Sequence, residues 1–146
     1  QVLEARGAHL LINEGRCRRF SDLAGLDIAE GRAGVSLFAA EPRSLPVTLR
    51  MVERHPLGSQ CFLPMSGGGW LVVVAPDEDG DPGAPRAFLA RGDQGVNIGR
   101  GVWHGVLCPL APAGTTTPRL FGVVDRIGEG ANLQEHWFAD PWTVAG

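Results

Sequence analysis

The sequence predicts a mainly β domain, built as a sandwich or a barrel. Its 21 glycines and 11 prolines break the 146-residue chain at short intervals. The stretches between them are brief apolar or alternating runs, and none keeps a 3.6-residue period for long. Short runs at this spacing, separated by turn residues, are the pattern of an all-β fold.

The strands follow in order. Ala8 to Ile12 is an apolar run closed by Asn13-Glu14-Gly15, and Gly34 to Ala39 alternates around Val35 and Leu37. Val47 to His55 lies between Pro46 and Pro56, residues that bound strands more readily than they enter them. Gln60 to Met65 follows the turn Leu57-Gly58-Ser59 and stops before Gly67-Gly68-Gly69. Trp70 to Pro76 is a further apolar run and the next candidate strand. Asp77-Glu78-Asp79-Gly80-Asp81-Pro82-Gly83 is acidic, but it lacks the spacing and terminal glutamate of an EF-hand loop, so it reads as a solvated hairpin loop and not a calcium site. Pro85 to Ala90, Gly95 to Ile98, Val102 to Leu110 and Arg119 to Arg126 complete the strands, each entered from a Gly- or Pro-containing turn. Only the tail, Asn132 to Phe138, reads as a helix: a short C-terminal one opened by Asn132.

Composition narrows the function. The length fits a single domain spanning 1–146, with 44% hydrophobic and 20% charged residues. No apolar run approaches the roughly 20 residues of a membrane helix, and the first residues lack a signal-peptide pattern, so no membrane partner and a cytoplasmic setting are expected. A net charge of −3 offers no basic footprint, so nucleic acid is not an expected partner. Cys17, Cys61 and Cys108 are odd in number, widely spaced and free of a CxxC pair, which points to small buried hydrophobes. All 13 basic residues are arginine, and tyrosine is absent. Schiff-base chemistry and lysine or tyrosine acid–base chemistry are thereby excluded, leaving His, Asp, Glu, Cys and Arg.

Two polar clusters interrupt the apolar strands. Strand alternation sets Leu49, Met51, Glu53 and His55 on one face and Thr48, Arg50, Val52 and Arg54 on the other. A Glu-x-His pair on an apolar face is costly unless bonded to each other, to a ligand or to a metal. Gln60, after the turn, can sit across from His55. In the second cluster His104 alternates with Val106 and Cys108, which faces it inward, just after the turn glycines Gly99 and Gly101. One inward histidine is more often a hydrogen-bonded core residue than a ligand; two in matching settings, beside Glu53 and Gln60, favour a site. His9, His136 and the four tryptophans Trp70, Trp103, Trp137 and Trp142 take the plainer reading of structural or solvated groups, and Asp125-Arg126 that of a local ion pair, with an Asp125 carboxylate facing the barrel as the alternative.

These residues resemble a degenerate cupin pattern. Glu53-x-His55, Gln60 and Gly67 occupy the places of the first motif's HxH, glutamate and glycine, and Gly99-x-Gly101-x-x-His104 resembles the second motif, PxGxxH. A more specific likeness joins Ile12-Asn13-x-Gly15 with Arg19 and Asp22-Leu23-Ala24, Leu45-Pro46-Val47, Glu53-Arg54-His55-Pro56-Leu57-Gly58-Ser59-Gln60, Leu63-Pro64-Met65, Gln94-Gly95-Val96-Asn97 and Val102-Trp103-His104. In this order they are similar to the ureidoglycolate lyase family, formerly called ureidoglycolate hydrolase, from about residue 9 to about residue 126.

The resemblance implies a cupin-like β-barrel (jelly roll), commonly a homodimer, that cleaves (S)-ureidoglycolate to glyoxylate and urea in purine and allantoin degradation. It also implies a divalent metal, nickel in some members. Ile98, Gly99 and Val106 depart from the family's usual residues near the expected pocket, which keeps open a related enzyme acting on another small carboxylate or ureido compound. A non-catalytic small-molecule-binding module is the third reading.

The expected roles follow from the reaction. His104 or His55 suits proton transfer, with Glu53 orienting it or serving as the base. Arg100, then Arg19 or Arg54, is the expected carboxylate clamp, and Asn97, Gln60 and Asn13 are expected to bind the ureido amides. If a metal is held, His55, Gln60, His104 and Glu53 are its expected ligands.

Overall fold

The computed structural model describes residues 1–146 and contains strands and no helix. In chain order the strands are β1 (Val2–Leu3), β2 (Leu10–Ile12), β3 (Cys17–Arg19), β4 (Arg32–Ala40), β5 (Val47–Arg54), β6 (Gln60–Pro64), β7 (Trp70–Ala75), β8 (Asp77–Glu78), β9 (Asp81–Pro82), β10 (Arg86–Ala90), β11 (Gly95–Ile98), β12 (Trp103–His104), β13 (Cys108–Pro109), β14 (Arg119–Ile127) and β15 (Gln134–Val144). No helix is long and apolar enough to cross a membrane.

Two antiparallel sheets carry the fold. The first has the order β1-β11-β6-β14-β4; the second has the order β10-β7-β12-β5-β15, with β13 also pairing β7. The sheets are not joined into a closed barrel, so the expected barrel takes the form of an open, jelly-roll-like pair of sheets. Between them lies a core of Phe62, Val96, Ile98, Phe121 and Val123 from one sheet, packed on Trp70 and Ala90 from the other. A second cluster, including Val47, Leu49, Val52, Leu71, Val73 and Trp103, belongs wholly to β5, β7, β12 and β13. Along β7, Trp70, Val72 and Val74 pack in the first cluster, and Leu71, Val73 and Ala75 in the second. Burial on both faces is why β7 reads as unbroken apolar sequence.

Three expectations are corrected. The tail is not a helix: Gln134–Val144 is a strand paired antiparallel along β5, from Gln134 opposite Arg54 to Val144 opposite Val47. Seven residues hold too little pattern to separate the two periods, and the open edge of β5 supplies backbone partners that a short solvated helix would lack. Pro141 is tolerated because β15 is an edge strand and its register shifts between Trp137 and Trp142. Val102 to Leu110 is not one strand but two, β12 and β13, separated at Gly105. A Cβ there would lie 3.1 Å from Leu49 Cδ1 and 3.2 Å from Val73 Cβ, so the crossing needs glycine's bare backbone. The single-face assignment in β5 also fails: Leu49 and Val52 share one cluster although three residues apart, so the alternation slips between them.

The acidic turn is a hairpin loop as expected. Strands β8 and β9 pair across it, with Asp79 and Gly80 both at positive φ (53° and 99°), the conformation of a tight two-residue hairpin. Cys61 and Cys108 are buried and Cys17 half-buried, all unpaired. Trp70 and Trp103 fill the core, each 3% exposed, whereas Trp137 and Trp142 lie exposed on the edge strand. His9 stacks on Phe20, and His136 lies 3.5 Å from Asp81.

Candidate active site

The ladder brings the two histidine clusters together. β12 pairs with both β5 and β7, with His104 opposite Glu53 on one side and opposite Val74 on the other. Val74 packs against the core between the sheets, so His104 and Glu53 also face inward. The turn after Ile98 closes at Gly101 (φ +73°), whose N–H donates to His55 O at 3.0 Å and ties the second cluster to the end of β5. The His55 and His104 rings stand 5.3 Å apart, and His55 Nε2 is 3.9 Å from Glu53 Oε1.

The hydrogen bonds around this group all point one way. Both histidines have Nδ1 against a backbone carbonyl: His55 at 2.8 Å from Asn132 O, and His104 at 3.1 Å from Gly105 O. A carbonyl can only accept, so each Nδ1 carries the hydrogen and each Nε2 keeps a lone pair. His55 Nε2, His104 Nε2 and Gln60 Oε1 are buried and have no protein partner. Gln60 instead donates through Nε2 to Asp125 Oδ2 at 3.2 Å.

Three electron-pair donors left bare in one buried place call for a donor or a cation. Ligating atoms of Glu53, His55 and His104 lie within 4.8 Å of one another, close to the spread allowed by bonds of about 2.1 Å to one ion. These three side chains form a possible metal-binding triad.

Burial sets the proton affinities. The His104 imidazole is lowered to about 4 because burial penalises its charged form, with the neighbouring His55 adding to the fall against a hydrogen bond to Gly105. Glu53 is raised, first by burial and then by Glu135, with His55 opposing. A neutral imidazole thus faces a carboxyl that holds its proton more tightly than a solvated one.

Glu53 and His104 line a cleft at the β4 and β15 edges of the two sheets, with His55 behind them. One part, about 370 Å³, is lined by Glu53, Gln60, His104, Phe38 and Val106 among others; an adjoining part, about 410 Å³, shares Glu53 and Val106 and adds Arg43, Arg50, Glu135 and Trp137. The largest cavity, about 450 Å³, lies at the opposite edges, β1 and β10, and is lined almost entirely by apolar side chains. No His, Asp, Glu, Cys or Arg side chain lines it, whereas Glu53 and His104 line the cleft.

Glu53, His55, Gln60 and His104 therefore converge. The remaining expected contacts do not. Asn97 points to the far side of its sheet and binds Gly25 O and Gln1 Oε1. Arg54 stacks on Trp103 at 4.4 Å and pairs with Asp77, and Arg100 pairs with Asp27 at 3.0 Å. Asn13 and Arg19 sit exposed on the β2–β3 hairpin. Val106 lines the cleft, while Ile98 is a core residue opposite Gln60.

Sequence reasoning does not single out three residues in the roles they take here: Arg43, Arg50 and Asn132. Asp125 faces inward, the alternative the sequence offers for it, since it ends an apolar run with Phe121 and Val123 on the inward face. Its expected pairing with Arg126 is not formed; Arg126 donates to the carbonyls of Ala29, Glu30 and Glu129 instead.

Comparison with known proteins agrees with this geometry. The family model described as ureidoglycolate lyase matches residues 1–145. The chain is 57% identical over 137 residues to a ureidoglycolate lyase of Rhodobacter capsulatus, covering 93% of this chain and 82% of that protein. It is 52% identical over 135 residues to ureidoglycolate lyase 2 of Rhizobium meliloti, covering 91% and 80%. A ureidoglycolate lyase of Chelativorans sp. is 47% identical over 146 residues, covering 98% and 86%. With the family's pattern matched along nearly its whole length, and Glu53, His55 and His104 gathered in one group, the chain belongs to the ureidoglycolate lyase family.

Proposed function

We propose that this protein is a lyase that cleaves (S)-ureidoglycolate to glyoxylate and urea, a step of allantoin and purine breakdown. The observation that carries the reading is the convergence of Glu53, His55 and His104, with bare electron-pair donors, beside a cleft that Glu53 and His104 line, in a chain of this family.

The reaction removes the hydroxyl proton, forms the carbonyl of glyoxylate from that oxygen's electrons, breaks the carbon–nitrogen bond and returns a proton to the leaving nitrogen. Glu53 is suited to carry the proton, because burial raises its proton affinity above that of a solvated carboxylate. It accepts at one carboxylate oxygen from the hydroxyl and delivers to the ureido nitrogen. The Nε2 atoms of His55 and His104 and Gln60 Oε1 present lone pairs to the hydroxyl and the ureido N–H groups.

The same donor set fits a divalent metal such as nickel(II), held by His55, His104 and Glu53 with Gln60 as a further oxygen; bound there, it would supply positive charge that lowers the hydroxyl pKa. Arg43 and Arg50 take over the carboxylate role expected of Arg100: both line the cleft beside Glu53, and neither has an acidic partner.

Purified protein given racemic ureidoglycolate should release urea and glyoxylate in equal amounts and leave the R enantiomer. Consumption of neither enantiomer, with and without added nickel(II) or manganese(II), would overturn the reading. Full activity in chelator would remove the metal from it. Arg43→Ala and Arg50→Ala should each raise KM about tenfold or more with a smaller change in kcat, as expected for loss of a charged hydrogen bond worth about 1.5–3 kcal/mol.

A homodimer in the cytoplasm completes the reading. The outer face of β4, β14 and β6 shows Val35 and Leu37, 78% and 66% exposed, beside Leu63, Met65 and Leu120. An apolar sheet face ending in an open edge strand is the kind of surface a second copy covers. Light scattering should give twice the chain mass, and Leu37→Glu should shift it to the monomer; a monomeric wild type refutes the pairing. The three unpaired cysteines suit a reducing compartment.

A further inference from the structure

We propose that Asp125 is a positioning residue of this lyase: its carboxylate fixes the Gln60 amide so that Gln60 Oε1, and not the NH₂ group, is presented to the cleft. The inference rests on the functional reading above and deepens it.

The register puts the two residues side by side. Strands β14 and β6 pair with Val124 opposite Cys61, so the next step along the ladder sets Asp125 beside Gln60. Phe121 and Val123 face the core between the sheets, and alternation turns Asp125 the same way. The neighbouring Arg126 leaves on the other side and is engaged by three backbone carbonyls, so no cation neutralises Asp125 locally. What Asp125 receives is the Gln60 Nε2 donor, at 3.2 Å.

A primary amide is ambiguous until something orients it. Rotated by half a turn, it offers a donor where it had offered an acceptor, with almost no change of shape. A carboxylate removes the ambiguity because it accepts only, so it claims the NH₂ end. Gln60, 6% exposed, is thereby left with Oε1 bare. That atom matches the bare Nε2 atoms of His55 and His104 in character, so all three present acceptors.

The pairing also accounts for glutamine at position 60. A glutamate there would bring a second carboxylate within hydrogen-bond distance of Asp125 in a half-buried place, where like charges repel strongly. The negative charge is kept in the site, but one residue further from the cleft, and the amide passes on its orienting effect.

A double-mutant cycle tests this. Asp125→Asn makes an amide–amide pair with two equivalent arrangements, and should lower kcat about tenfold with Tm within about 2 °C of wild type. Gln60→Glu, with two abutting carboxylates, should lower both kcat and Tm. Combining Gln60→Glu with Asp125→Asn exchanges the two groups, so that the amide now donates from β14 to a carboxylate on β6. Most of the Tm and activity lost in Gln60→Glu should then return. If the double variant is as impaired as the sum of the single ones, or if Asp125→Asn leaves kcat unchanged, the proposal is overturned. Recovery of Tm in the double variant, with wild type inert towards ureidoglycolate, would sink the functional reading while leaving the pairing intact.

Discussion

His104→Gln should lower kcat about 10³-fold while the protein stays folded. The substitution removes the Nε2 lone pair that faces Glu53 across the ladder, and with it one arm of the triad. Losses of 10²–10⁴ are usual when a positioned proton-handling or ligating group is removed. An equal loss in KM alone would reassign His104 to binding. The same variant should change acid stability in a defined direction. Folded His104 sits at about 4, below its ordinary value of 6.5, so the neutral ring favours the fold above about pH 6.5 and that contribution is lost as the pH falls towards 4. In chelator, wild type should lose about 3 kcal/mol over that interval that His104→Gln does not lose, at about 1.4 kcal/mol per unit. Denaturant titrations of both proteins at pH 7 and pH 4 give the comparison; parallel losses would refute it.

Arg126→Met should cost about 3–5 kcal/mol of stability and reduce activity well below the new melting point. Arg126 is 8% exposed and has no acidic partner. Its Nε donates to Ala29 O at 2.8 Å and Glu30 O at 3.0 Å, and one terminal nitrogen donates to Glu30 O at 2.5 Å and Glu129 O at 2.6 Å. Removing it strands three carbonyls, and hydrogen bonds from a charged donor are worth about 1.5–3 kcal/mol each, discounted for water that enters. Gly58 and Gly128 leave the room it occupies: a Cβ at Gly58 would lie 2.7 Å from Arg126 Cβ, and one at Gly128 would lie 2.8 Å from a guanidinium nitrogen.

The effect reaches the site through one short segment. The loop that Arg126 holds at Glu129 continues to Asn132, whose carbonyl takes the His55 Nδ1 hydrogen and whose side chain accepts from Leu57 N at 2.7 Å. Loosening that loop releases the tautomer of His55, so kcat should fall beyond what the change in folded fraction explains. Calorimetry gives the first effect, and kcat measured about 20 °C below Tm gives the second. A variant that melts within 2 °C of wild type would show that solvent or other groups serve those carbonyls.

Much of the site is legible in the sequence because its signals are local. Glu53 and His55 lie two apart near the end of one strand, Gln60 follows the turn, and His104 follows the turn glycines Gly99 and Gly101, so each stands where a polar group interrupts an apolar run. Strand alternation fails where the backbone departs from regularity. Between Leu49 and Val52 the alternation slips, and at Gly105 a strand divides in two; neither irregularity has a sequence mark distinguishable from ordinary strand or turn. The tail misleads because its seven residues satisfy either period, and only the vacant edge of β5 separates them.

A mainly β chain, the acid–base residues available to it and the grouping of Glu53, His55, Gln60 and His104 can be read from the residues alone, whereas the strand faces on which Glu53 and His104 meet are set by the slip in β5 and the break at Gly105. Among thirteen arginines the sequence favours Arg100, then Arg19 or Arg54, as a carboxylate clamp, and only the packed fold shows that Arg54 is engaged by Asp77 and Arg100 by Asp27 while Arg43 and Arg50 stand unpaired at the cleft. The fold alone also supplies Asn132 to His55, 77 positions apart, and Asp125 to Gln60, 65 positions apart. The difference is one of range. Strand period and turn chemistry act over a few residues, whereas a hydrogen-bond partner across a ladder or from a returning loop depends on how distant segments pair, which no local pattern encodes.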